Sequence, residues 1–429
     1  MKILKNHKTT FFKNVMTLLS GNALSQIISF AILPILTRLF SEELFGVFIL
    51  YSSTMMLLRP IGTMSYHLSL LLPKNDEDAV NLLCFNFLLV IAISLLLLFV
   101  VFMCKDSIYE LLNITSLGGF IYCFPLSMFF VASIEILEHW NNRRGKFINI
   151  SSGLLSKSIA LNSGQLFVGF SSFKKIGLIP GLIFGQIING VFLFIASFRS
   201  VQELWESVSF KNMFKMAKIY KDIPLFTTLV SFTNNLSNEL PVILFTKYFG
   251  VNVAGVYGLS LKVSKAPVGL VQGSISSVFF NKISKAFNEK KNIESIVKAT
   301  YKKMFYLALT IFTVLFCSSY FLEFFLGVKW SDSGTYVRIM IPVLFLGFIN
   351  APVTSLITVL NKQKEFVLFD TLLLASRFLA IFISYKVYND IIVTLAFFVG
   401  VGVVFNLLIM FYFLNISKKN KIENMKIYN

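Results

Sequence analysis

Five basic side chains fall where basic side chains are costly. Arg59, Lys157, Lys262, Lys265 and Arg377 each interrupt a long apolar stretch of the chain. A charge at the centre of a bilayer costs about 3 kcal/mol or more, so such residues normally face a bundle interior or a wet path. Arginine offers a planar donor fork to phosphate or carboxylate, and lysine offers a point charge. Together the five could hold an anion, because low-dielectric walls focus the field of a positive chamber onto its contents. Acids at similar depth are scarce. Glu239 is comparably deep, whereas Asp370 and Glu135 lie nearer the ends of their stretches. An exporter of cationic drugs would need the opposite balance.

The elements that carry these residues are read from composition and hydropathy. Of 429 residues, 56% are hydrophobic and 14% are charged, with 48 Phe; the mean hydropathy is +0.75. Soluble domains carry about a quarter of their residues as charges, so the composition indicates a polytopic membrane protein. About 20 apolar residues cross the hydrocarbon core as a helix. Twelve stretches qualify: 15–37, 44–65, 80–103, 117–137, 147–171, 176–199, 223–247, 250–281, 303–326, 336–360, 366–388 and 391–415. The first, fifth, seventh and eighth contain Ser, Asn, Gln, Gly or Lys, as in TLLSGNALSQ and SFTNNLSNEL. Lipid cannot satisfy those groups, so these four helices should face protein or a hydrated cavity. At about 1.5 Å per residue, all five buried cations fall in the middle third of the membrane.

The net charge of +18 is first a topology signal. With the N-terminus inside, the segments on the cytoplasmic side hold 26 basic residues and those outside hold 8. Cytoplasmic segments carry the excess of Lys and Arg in membrane proteins, so both termini are expected in the cytoplasm. No nucleic-acid partner is needed to explain the charge. The first stretch runs past Arg38 without a small-residue cleavage site and reads as a spanning helix rather than a leader.

An internal repeat organises the spans. TRLFSEELFGVF at 37–48 matches TKYFGVNVAGVY at 246–257, with Pro34 and Pro241 upstream of each. The expected fold is all-α: about twelve transmembrane helices in two pseudo-symmetric six-helix lobes around a central cavity, in parallel repeat. The expected divisions are an N-terminal lobe at 1–199, a cytoplasmic amphipathic linker at 200–222 containing Trp205, a C-terminal lobe at 223–415 and a basic tail at 416–429. Gly177, Gly181, Gly185 and Gly190 read as helix packing. Asn234, Asn235 and Asn238 could line the cavity or bond neighbouring helices. A kink is expected at Pro241. Asp76, Glu77 and Asp78 read as a solvated loop. Four scattered cysteines and three scattered histidines suggest no metal site or disulfide. No Walker A motif or nucleophile–base pair is present, so neither an ATPase nor a catalytic centre is expected.

The run NVMTLLSGNALSQIISFAILPILTRLFSEELFGVFILYSS, followed by LLLPKNDEDA, resembles the Wzx-type polysaccharide-biosynthesis flippases of the multidrug/oligosaccharidyl-lipid/polysaccharide exporter superfamily. The specific part of the likeness covers about residues 12–80. It implies translocation of an undecaprenyl-diphosphate-linked O-antigen repeat unit to the periplasmic leaflet of the bacterial inner membrane, by alternating access through a cationic lumen. It puts forward Arg59, Lys157, Lys262, Lys265 and Arg377 as substrate contacts. It also implies coupling to H+ or Na+, for which Glu239 and Asp370 are the candidates, with membrane lipid and other glycan-assembly proteins as partners and no bound cofactor. A lipid II flippase or drug antiporter of the same superfamily stays open. So does a membrane O-antigen polymerase or ligase, although the short outer loops disfavour it.

Overall fold

A computed structural model of the chain describes residues 2–112, 115–289, 291–360 and 362–426. Residues 427–429 of the expected basic tail lie outside the described residues. All regular structure among the described residues is helical. In chain order the α-helices are α1 (Lys2–Leu39), α2 (Glu42–Thr63), α3 (Asp76–Leu112), α4 (Phe124–Arg143), α5 (Phe147–Phe170), α6 (Ile179–Gln202), α7 (Phe210–Ile219), α8 (Asp222–Phe249), α9 (Val251–Asn288), α10 (Ile293–Ser319), α11 (Leu322–Leu326), α12 (Ser331–Asn350), α13 (Leu356–Val359), α14 (Gln363–Tyr388) and α15 (Ile391–Lys426). Each of the twelve expected spans falls on one of the long helices. By length and composition, nine helices of the described residues are apolar enough to cross a membrane. The other three, α5, α8 and α9, are polar ones whose Ser, Asn, Gly and Lys lower their hydropathy.

Serine and asparagine groups of α1 and α5 pair across the seam between the helices. Ser158 donates to the Ser25 carbonyl at 2.9 Å, and Asn162 donates to Ser29 Oγ at 3.1 Å. A methyl group on Gly21 would sit 2.1 Å from Ser151 Oγ, so the two backbones nearly touch. Small residues permit this approach, and hydrogen bonds across the seam replace contacts that lipid cannot make. α6 packs on α5 in the same way: a Cβ on Gly181 would lie 2.6 Å from the Gln165 backbone nitrogen. The plain apolar helices do the reverse. α3 presents Leu95, Leu96, Phe99 and Phe102 outward, a surface that water would not tolerate and acyl chains would. The chain is a multi-pass membrane protein.

Several boundaries differ from expectation. The tenth span ends at Asn350, not 360; Pro352 cannot continue the helix, and a 3-10 turn with α13 fills the rest. The fourth begins at Phe124 with Pro125 in its first turn, a position where the missing N–H costs nothing. Asp76, Glu77 and Asp78 form the first turn of α3, where negative charge suits the helix dipole. Arg143 binds Asp76 at 2.8 Å and also donates to the Pro73 carbonyl at 2.8 Å, clamping the connection into α3. α8 runs through Pro241 as one helix. In α7, Met213, Met216 and Ala217 are buried while Phe210 and Phe214 are exposed, the pattern of a helix lying at an interface.

The chain forms two compact units, Met1–Gly255 and Val256–Asn429. α8 belongs to the first and packs along α2. In the second unit α12 and α14 both pack on α15, tied by Asn350, which donates to the Asn406 carbonyl at 2.9 Å. The matched segments of the repeat meet within the first unit. A Cβ on Gly46 would lie 1.9 Å from the Val251 carbonyl oxygen, and one on Gly255 would lie 2.9 Å from the Gly46 nitrogen. Glycine recurs in both copies because the backbones touch there. Gly46→Val and Gly255→Val should each cost about 1–3 kcal/mol by overpacking. Gly347→Ala, with open space around it, should be neutral or stabilising. Thermal unfolding of the detergent-solubilised protein checks all three.

Candidate functional site

Arg59 lies four residues before the C-terminal end of α2, about 6 Å along the axis, rather than midway through its span. Met64 and Ser65 then adopt left-handed conformations, with φ of 44° and 55°, and send the chain into a 3-10 turn at Tyr66–Leu71. Ser65 Oγ and Thr228 Oγ1 of α8 are 3.2 Å apart, which braces the turn. The turn brings His67 Nδ1 to 2.7 Å from Thr63 Oγ1, over the end of α2.

α4 supplies the opposing groups. Ala132, Ile136 and Trp140 recur every four residues and pack into a core with Leu70, Leu82, Val90 and Met216. Trp140 Nε1 donates to Ser200 Oγ at 3.0 Å. These contacts set the rotation of α4, so Glu135 and His139, also four apart, share another face. Arg59 Nε donates to Glu135 Oε1. His67 Nδ1 is 3.9 Å from Glu135 Oε2. The His67 and His139 rings meet edge to face with centroids 4.7 Å apart, and His139 Nδ1 lies 2.9 Å from the Glu135 carbonyl oxygen. Lys157 of α5 interacts electrostatically with Glu138 and Glu135.

The exposures are unequal. The Glu135 side chain is 8% exposed and that of Arg59 is 43% exposed. Glu135 Oε2 has no hydrogen-bond partner. Two cations, Arg59 and Lys157, face two acids, Glu135 and Glu138, so their formal charges cancel. A buried carboxylate stripped of its partner costs about 3–5 kcal/mol, which makes the Arg59–Glu135 pair hard to break without a substitute.

The remaining candidates lie elsewhere. Lys262 and Lys265, three residues apart on α9, are both exposed and share a face. Arg377 on α14 lies over the Phe398 ring, 5.2 Å from its centroid, and interacts electrostatically with Tyr257 and Asp370. Glu239 on α8 is half-buried. Asn235 donates to the Met56 carbonyl at 2.7 Å, so it bonds α8 to α2. Asn238 donates to Asn234 Oδ1 at 3.1 Å. The structure therefore brings Arg59 and Lys157 together in the first unit, while Lys262, Lys265 and Arg377 belong to the second. Among the described residues no group of three or more His, Cys, Asp or Glu could hold a metal ion.

Reading by depth alone missed Glu138, His67, His139 and the engagement of Arg59 with Glu135. One signal was available: Glu135, Glu138 and His139 stand at i, i+3 and i+4 within an apolar helix, a polar face with nothing else to satisfy it.

The comparisons with known proteins agree with this architecture. Lipid II flippase MurJ, in an inward closed conformation, aligns with a TM-score of 0.74 at 17% identity, over 96% of this chain and 92% of that one. A multidrug resistance MATE family transporter of the MOP superfamily, facing inward, aligns at 0.65 and 11% identity over 96% and 94%. A MOP superfamily transporter from Pyrococcus furiosus aligns at 0.65 and 11% identity over 95% and 96%. At these identities the likeness is one of fold. No curated protein sequence matches the chain. Residues 35–335, however, match the family described as polysaccharide biosynthesis protein, and over that span, which holds four of the five candidate cations and every member of the Arg59–Glu135 cluster, the chain belongs to the polysaccharide biosynthesis protein family.

Proposed function

We propose that the protein is a flippase that carries an undecaprenyl-diphosphate-linked oligosaccharide, an O-antigen repeat unit, from the cytoplasmic to the periplasmic leaflet. The observation that carries this reading is membership of the polysaccharide biosynthesis family in a chain with cations inside its spanning helices. A lipid diphosphate bearing a polar glycan needs a hydrated path with positive charge, while its tail stays in lipid. The fold shared with the lipid II flippase MurJ supports movement of a lipid-linked sugar rather than catalysis upon it.

In this mechanism the candidates for holding the phosphate are the cations of the spanning helices, Arg59, Lys157, Lys262, Lys265 and Arg377. Alternating access by two repeat lobes, 1–199 and 223–415, joined by the basic linker 200–222, moves the headgroup across. Coupling to H+ or Na+ runs through Glu239 or Asp370. Both termini are cytoplasmic in the bacterial inner membrane, which the excess of 26 basic residues over 8 on that side supports. Other glycan-assembly proteins act before and after the step.

In a strain lacking its O-unit translocase, the protein should restore surface glycan and move lipid-linked intermediates to the outer leaflet. Intermediates that stay on the cytoplasmic leaflet, with the protein inserted, would reject the reading. Arg59→Ala and Lys265→Ala should each abolish surface glycan without loss of insertion, and Arg59→Lys should retain more than Arg59→Ala because charge survives when the fork is lost. Unchanged display in both alanine variants removes these residues from the mechanism. A fluorescent protein fused after Asn429 should fluoresce and alkaline phosphatase there should be inactive; the reverse pattern rejects the orientation.

A further inference from the structure

The cluster in the first unit presents a difficulty for any anionic cargo. Its two cations are already matched by two acids, so it has little net field with which to attract a phosphate. Arg59 is nonetheless only partly used. One of its five N–H donors goes to Glu135, and its side chain is 43% exposed, so the guanidinium has an open side. Glu135 is enclosed, at 8% exposure, and its Oε2 has no hydrogen-bond partner. If Arg59 turns to another anion, Oε1 loses its donor as well and neither Glu135 oxygen has one.

The groups that face Glu135 cannot replace Arg59. Lys157 of α5 is shared with Glu138. His67 of the 3-10 turn is held by Thr63 at 2.7 Å and stands 3.9 Å from Oε2. His139, on the same helix, directs Nδ1 to the Glu135 backbone carbonyl at 2.9 Å. An ionised carboxylate left buried without a partner does not persist; it takes up a proton instead.

Resting on the anionic-lipid reading above, we propose that Glu135 is a displaceable counter-ion: it holds the Arg59 guanidinium until the substrate phosphate replaces it, and anion binding then draws one proton from solvent onto the released carboxylate. The balance is simple. Arg59 stays protonated and exchanges one oxygen anion for another. The only bond made is O–H on Glu135, and the cluster admits one negative charge while neutralising another. Glu135 is thus a positioning residue that gates Arg59, and binding is coupled to pH without Glu135 touching the cargo.

The test uses purified full-length protein and farnesyl diphosphate as a short prenyl diphosphate probe, with farnesol as the uncharged control. Calorimetry in buffers of different ionisation heat counts protons, and difference infrared spectroscopy reads the protonated carboxyl band. The wild type should take up about one more proton per bound probe than Glu135→Gln, and should lose up to about tenfold more affinity per unit rise in pH. It should also show a new carboxyl band on binding that the variant lacks. At pH 8, Glu135→Gln should bind at least about tenfold more tightly than the wild type, since its competitor is gone. Equal proton uptake in the two proteins, with no carboxyl band, overturns the counter-ion and leaves the phosphate reading intact. Failure of the wild type to prefer farnesyl diphosphate over farnesol rejects the phosphate reading itself. If Glu135→Gln does not fold, the wild-type carboxyl band decides alone: its absence overturns the proposal.

Discussion

A polar group inside the hydrocarbon core must find its partner within the protein, and the arrangement of this chain follows from that constraint. Serine and asparagine on α1 and α5 pair across a glycine-lined seam. Asn235 ties α8 to α2, and Asn350 ties α12 to α15. The ionic case is the most demanding. Glu135 is buried against Arg59, with Lys157 balancing Glu138 nearby. The polar helices α1, α5 and α8 are bonded to neighbouring helices, whereas the apolar helices such as α3 turn their leucines and phenylalanines outward.

The same constraint connects packing to function. A membrane protein that carries an anionic headgroup must keep cations inside without leaving them bare when the cargo is absent. Internal carboxylates solve this by holding the cation between cargoes. The cost is competition, because the carboxylate and the cargo want the same donors. Glu135 is buried and partly unsatisfied while Arg59 is partly exposed, and that asymmetry is the one expected of a pair that opens on the cation's side. Met64 and Ser65 in left-handed conformations return His67 to the same place, so two of the three histidines of the chain meet ring to ring here, His67 near the carboxylate and His139 against the Glu135 backbone carbonyl.

Much of the architecture was legible in the residues. A run of about 20 apolar residues has few alternatives to a spanning helix, so twelve spans fell on twelve helices. Serine, asparagine and glycine inside four of them foretold contact with protein. The glycines at 181 and 185 foretold close packing. What was not legible depends on the angle about a helix axis and on distance across sequence. Depth along α2 and α4 does not reveal that Arg59 and Glu135, 76 residues apart, point at each other. That follows only once Trp140 and its neighbours fix how α4 is turned. The acidic run at Asp76 likewise reads as a loop until Arg143 and Arg144 are seen against it. In the tenth span the apolar residues continue past Pro352 while the helix does not.

The idea that ties these parts together is that the cargo is recognised by its negative phosphate. Transport by purified protein in liposomes tests this most directly, using a fluorescent short-chain prenyl-diphosphate-linked sugar beside an uncharged prenyl-linked analogue of the same sugar and tail. The diphosphate should cross to the opposite leaflet at a rate well above that of protein-free liposomes, and the uncharged analogue should not. Equal movement of both compounds would show that charge is not what the cations of the spanning helices are there to read.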